Sequence, residues 1–170
     1  MMQKKNSILI PEIISTIFVM ILGTLLHFTY KWSGNNMLVG IFSPINESVW
    51  EHLKLIFFPM LITIIIGYFY KGKDFDNYLS SKVIGIIVML SFTIIFYYTY
   101  SGIIGNNYAV IDIGTFFVAV LLGQIVSYKI MQTRFHGNNL ISIIILVALL
   151  LCFVVFTFMP PSIALFKDLS

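Results

Sequence analysis

Five stretches of the chain, at about 8–29, 52–70, 83–100, 109–130 and 140–160, each run for close to the length of a membrane crossing with few charges among them. A hydrocarbon core about 30 Å thick takes roughly 20 apolar residues to cross as a helix. Lipid offers no partner to an open backbone, so each stretch is predicted to be a transmembrane α-helix. The predicted fold is therefore all-α: a polytopic membrane protein whose five spans form a single domain over residues 1–170.

Composition closes the main alternative. The chain is 59% hydrophobic and only 10% charged, with a mean hydropathy of +0.97. Soluble domains carry about a quarter charged residues, and a chain this short has too much surface to hide so much apolar area from water. Ten basic and seven acidic residues lie scattered, without the basic run that nucleic acid requires. The lone cysteine, Cys152, falls in an apolar run and reads as a reduced, buried thiol. Lys4 and Lys5 before the first apolar run resemble the start of a signal peptide. That run continues through Leu26 with no small-x-small cleavage site, so it reads as a retained first span.

The basic residues between spans set the orientation. Lys4, Lys5, Lys71, Lys73, Lys82, Lys129 and Arg134 fall on one side, and Lys31, Lys54 and Lys167 on the other. The richer side is expected to be cytoplasmic, which puts the N-terminus in and the C-terminus out, as an odd number of spans requires. The expected location is a bacterial cytoplasmic (inner) membrane.

Ionisable residues inside a span are costly and mark function by default. His27 lies near the outer end of the first span, Glu47, Glu51, His52 and Lys54 at the outer entry to the second, and Asp112 about one turn inside the outer end of the fourth. Glu12, beside Pro11, and Gln124 lie toward the inner side. Around the second span, Ser43 is a candidate N-cap and Pro44 a candidate first helical residue, so the helix is expected to begin near 44 and to bend at Pro59, freeing the Leu55 carbonyl. On such a helix Glu47, Glu51 and Lys54 form one face with Trp50 beside them, and Ser48 and His52 a neighbouring face.

Two readings of these faces stand side by side. In one, Glu47, Glu51 and Lys54 are a solvated salt-bridge ladder with Trp50 as an interfacial anchor. In the other, Glu47, Glu51, His52, His27 and Asp112 line a shared polar cavity built from the first, second and fourth spans. A metal would take His27, His52, Asp112 and one of the two glutamates, a set suited to zinc or another divalent ion, although no His-x-x-x-His or His-Glu-x-x-His spacing marks it. No triad or nucleophile elbow is present, and no cofactor is specified. Tyr68, Phe69, Tyr70, Tyr97, Tyr98, Tyr100 and Tyr108 cluster near span ends, where aromatic rings anchor at the headgroups.

The string Phe42-Ser43-Pro44-Ile45-Asn46-Glu47-Ser48-Val49-Trp50-Glu51-His52-Leu53-Lys54, with Leu26-His27-Phe28, Trp32-Ser33-Gly34 and the Phe156-Thr157-Phe158-Met159-Pro160-Pro161 tail, resembles an uncharacterised family of small bacterial integral-membrane proteins, a domain of unknown function. The resemblance covers most of the chain and implies a membrane location without an activity. Three functions follow as expectations: binding or transport of a cation or small polar solute at an outer-leaflet pocket; an intramembrane enzyme acting on a lipid headgroup, with His52 or Glu51 as general base and a metal on His27 and Asp112; or an accessory subunit that packs against a partner. The lipid bilayer is the one partner common to all three.

Overall fold

The computed structural model describes residues 2–169, with side chains from Ile8 onward, so the side chains of Lys4 and Lys5 and the terminal Ser170 lie outside the described residues. Six helices follow in order: α1 (Met2–Trp32), α2 (Met37–Gly40), α3 (Val49–Tyr70), α4 (Tyr78–Ile104), α5 (Ala109–Met131) and α6 (Asn139–Phe158). Single 3₁₀ turns lie at Gly72–Asp74 and Ala164–Phe166, and the described residues contain no strand. All but α2 are long and apolar enough to cross a membrane, which makes this a multi-pass membrane protein. The spans keep the predicted order and number, but α3 starts at Val49, later than the start near 44 expected for its helix, and α4 opens at Tyr78 rather than near 83.

Helix α3 is the central element: 56% of its most apolar stretch is buried inside the bundle, against 17% for α6. It packs on α1 and α4, while α4 packs on α5 and α6. Phe57, Met60, Ile86, Met89, Ala119, Val120 and Phe153 are sealed in this core. Ile65, Ile95, Val110, Leu140, Ile144 and Leu151 face outward, as residues solvated by lipid do.

Lipid gives apolar side chains no reason to prefer one another, so the helices are drawn together by close backbone approach and by polar ties. At the α4–α5 crossing, a Cβ on Gly85 would stand 2.8 Å from the Gly123 carbonyl oxygen, and one on Gly123 would stand 2.5 Å from that of Gly85. Ala119, Gly123 and Ser127, spaced by four, give α5 the small stripe this contact needs.

A second tie crosses the bundle at the opposite end from His27. Because α4 starts at Tyr78, Lys82 is not a loop residue but a buried one, in ion contact with Glu12 of α1. The Lys82 ammonium also lies 3.5 Å from Gln124 Oε1, and Gln124 Nε2 donates to Ser15 Oγ at 3.1 Å. Glu12, the isolated carboxylate of the first span, is thus one half of an ion pair linking α1, α4 and α5.

Candidate functional site

The site is assembled by the irregular segment between α1 and α3. After Trp32 the chain reverses through Gly34 and Asn35, both left-handed at φ 69° and 62°, a conformation glycine and asparagine accept most readily. Ser43 then ties the segment to α1, donating to the Leu26 carbonyl at 2.5 Å and accepting from the Tyr30 N–H at 3.0 Å. With its hydroxyl spent there, Ser43 does not cap a helix, and Pro44 is not helical. Ser48 is the N-cap of α3 instead, its hydroxyl accepting from the Glu51 N–H at 3.3 Å, while Asn46 Oδ1 accepts from the Ser48 N–H at 3.0 Å.

This start corrects the expected face of Glu47, Glu51 and Lys54. Glu47 precedes the helix, so helical spacing does not apply to it. Glu51 and Lys54 are both buried and paired at 2.6 Å. Lys54 Nζ also donates to the Gly40 carbonyl at 2.8 Å, and Glu51 Oε2 accepts from the Ile45 N–H at 2.9 Å. The pair is neither a solvated ladder nor part of the cavity wall. It braces the 40–48 segment from inside.

Held by that brace, Glu47 reaches the two histidines. Glu47 Oε2 lies 3.3 Å from His52 Nε2, and Oε1 lies 3.6 Å from the Lys31 ammonium. The His27 and His52 rings are 5.2 Å apart between centres, and one ligand atom from each of His27, Glu47 and His52 falls within 4.8 Å of the others. His52 Nδ1 is 2.9 Å from the Ser48 carbonyl. A carbonyl only accepts, so the proton is assigned to Nδ1 and Nε2 is turned toward Glu47. Hydrogen bonding with His52 is the largest influence on the Glu47 carboxyl and holds it down to about 2, against the opposing effect of burial.

His27, Glu47 and His52 line a cavity of about 380 Å³ between α1, α3, α4 and α5. Asp112, in the first turn of α5, lies on the same cavity but is engaged by the Tyr100 hydroxyl, which also accepts from the Tyr108 N–H at 3.4 Å. Tyr100 is therefore buried and inward, not an anchor at a span end. Pro59, inside α3, has no N–H to offer the Leu55 carbonyl. Gly23 of α1 lies against that carbonyl, where a Cβ would come within 2.5 Å. The remaining walls are largely apolar, with Phe28, Ile56, Ile113 and Phe116 among them.

The last residues return to this end. Phe166 packs on Trp50 at 4.8 Å and on Phe156 at 5.4 Å, Asp168 Oδ1 accepts from the Glu47 N–H at 3.2 Å, and Leu169 lines the cavity. Trp50, expected as an interfacial anchor, instead sits in an aromatic cluster with Phe153 at 4.7 Å, and its indole Nε1 is buried with no hydrogen-bond partner among the described residues.

Of the five candidates read from the sequence, His27, Glu47, His52 and Asp112 meet at one cavity and Glu51 stands behind it. Sequence reasoning missed the contribution of α4, whose Thr93 and Tyr97 line the cavity while Tyr100 holds Asp112. Their spacing was the available signal, since residues 93, 97 and 100 share one helical face. A family model described as a family of unknown function (DUF6512) matches residues 1–170. No curated protein and no solved structure matches the chain.

Proposed function

We propose that this chain, which belongs to that family of unknown function along residues 1–170, binds a cation or small polar solute at the His27–Glu47–His52–Asp112 cavity, for uptake or sensing at the outer leaflet of a bacterial cytoplasmic membrane. One observation carries the reading: four ionisable side chains, drawn from α1, the segment before α3, α3 itself and α5, line a single cavity at one end of the bundle. Charge in a membrane protein is retained where it pairs, faces water or meets a ligand. The Glu51–Lys54 and Glu12–Lys82 pairs lie outside the cavity lining, whereas His27, Glu47, His52 and Asp112 line a space large enough for a small molecule. Native mass spectrometry of the protein in detergent, with thermal unfolding across a panel of cations and polar solutes, tests it. A retained or stabilising species that is lost in His52→Ala is expected; no such species in the wild type overturns the reading.

A second reading is an enzyme acting on a lipid headgroup. It draws support from the cavity's mixed lining, in which His52 and Asp112 stand among Phe28, Ile113 and Phe116, and from His52, whose Nδ1 contact with Ser48 orients Nε2 as a general base requires. Lipid extracts from cells expressing wild type or His52→Ala test it. Indistinguishable extracts would exclude it.

A further inference from the structure

Within the proposed binding reading, on which this step rests, we infer that His27, Glu47 and His52 form a three-ligand site for a zinc-class divalent metal ion, with its fourth position open to the cavity. The three ligand atoms already lie within 4.8 Å of one another. A tetrahedral ion bound at about 2.0–2.1 Å holds its ligands about 3.4 Å apart, and His52 Nε2 and Glu47 Oε2 stand at 3.3 Å, one edge of that tetrahedron. His27 completes the group, its ring centre 5.2 Å from that of His52 and its plane tilted 35° to it.

The surroundings match what metal-binding histidines need. A ligating imidazole donates its other ring N–H to a carbonyl or carboxylate, which fixes the tautomer and aims the lone pair at the ion. His52 does this through Nδ1 and the Ser48 carbonyl, itself fixed in the cap of α3. That tautomer leaves a nitrogen lone pair and a carboxylate oxygen facing each other across 3.3 Å, an arrangement a positive charge between them relieves. Glu47 is supported from behind by the Glu51–Lys54 brace on its segment and by Asp168, which accepts from its N–H.

The donor set decides the class of ion. Two imidazoles and one carboxylate suit zinc and its first-row neighbours, whereas magnesium and calcium ask for an all-oxygen shell. Asp112 is held by Tyr100 and is not among the three clustered ligands. The sequence-based set of His27, His52, Asp112 and one of Glu47 or Glu51 thus narrows to His27, His52 and Glu47, with Asp112 elsewhere on the cavity wall.

The test uses the full chain in detergent, without a histidine tag and stripped by chelator, titrated with Zn²⁺ alone. About one ion per chain is expected, with a raised unfolding temperature, and the affinity falls roughly a hundredfold or more in His27→Ala, His52→Ala and Glu47→Gln while Asp112→Asn keeps it. Failure of the wild type to bind Zn²⁺, or equal binding by the three variants, overturns the inference. Should a variant fail to fold, His27→Cys with Co²⁺ decides: a thiolate-to-cobalt charge-transfer band supports the site, and its absence in folded protein sinks it. If the wild type binds no Zn²⁺ yet retains a solute that His52→Ala releases, the metal inference fails and the binding reading stands. If it binds neither, both fail.

Discussion

Four positions separate Glu47 from Glu51, and the two carboxylates do different work. Glu51 is buried against Lys54, so Glu51→Gln leaves an ammonium in the interior without its counter-charge, a change that costs about 3–5 kcal/mol when a buried pair is broken from one side. The expected result is a lowered unfolding temperature with a loss of ligand affinity smaller than that of Glu47→Gln, since the brace positions Glu47 without touching the ligand. Glu47 is partly exposed, and its contacts with Lys31 and His52 lie at the cavity mouth. Exposed pairs contribute about 0–1 kcal/mol, so Glu47→Gln is expected to leave the midpoint in metal-free buffer nearly unchanged and to lose the ligand. Parallel melts and titrations on the two variants check this; matching effects on both readouts would refute the division of roles. That the two differ was hidden in the sequence, because i, i+4 spacing is informative only where a helix is already present. Ser48 capping rather than Ser43 takes Glu47 off the helix.

Among the helices, the α4–α5 crossing and the Glu12–Lys82 tie give the clearest expectations. Gly123→Val places its Cβ against the Gly85 carbonyl and, at 2.8 Å, against Met89 Cε. Backbone cannot yield as a side chain does, so the cost lies at or above the about 1–3 kcal/mol of ordinary overpacking. Gly114, on the same helix, has nothing within 4 Å of where a Cβ would lie. Gly114→Ala is therefore expected to be neutral or to stabilise by up to about 1 kcal/mol. Thermal melts of the two variants in one detergent compare them, and equal destabilisation would show that the crossing is not the cause. For the ion pair, Lys82→Met strands Glu12 in the interior, whereas Glu12→Leu/Lys82→Met removes both charges. The double variant is expected to be more stable than the single one, since a buried pair can be replaced by apolar groups at little cost while half a pair cannot. A double variant no better than Lys82→Met would mean that the pair's remaining partners, Gln124 and Ser15, dominate.

Across the whole molecule, the five long helices place the 33–48 and 105–108 connections, the tail and the cavity at one end, and the 71–77 and 132–138 connections at the other. We expect the cavity end to face outward: a reporter fused after Ser170 should be active only outside the cytoplasm, and a cysteine introduced in the 71–77 connection should label only from the cytoplasmic side. Cytoplasmic activity of the terminal reporter would reverse the orientation and move the proposed ligand to the inner leaflet. His136, the third histidine, lies exposed in the 132–138 connection and so cannot join the cavity cluster.

The number, order and helical nature of the spans were legible from residue chemistry alone. Hydrocarbon thickness and the demand for satisfied backbone hydrogen bonds act on every stretch independently of its neighbours. The gathering of charge at one end was legible for the same reason, since each charged residue is placed by its own distance from a span end. What the tertiary structure decided is which of these groups meet. Glu12 finds Lys82, Glu51 turns inward to Lys54, Asp112 is taken by Tyr100, and Glu47 joins His27 and His52. Each of these pairings depends on helix rotation, on the close approaches that Gly23, Gly85 and Gly123 permit, and on where a single serine caps a helix. Those are properties of the packed bundle, and no window of sequence contains them.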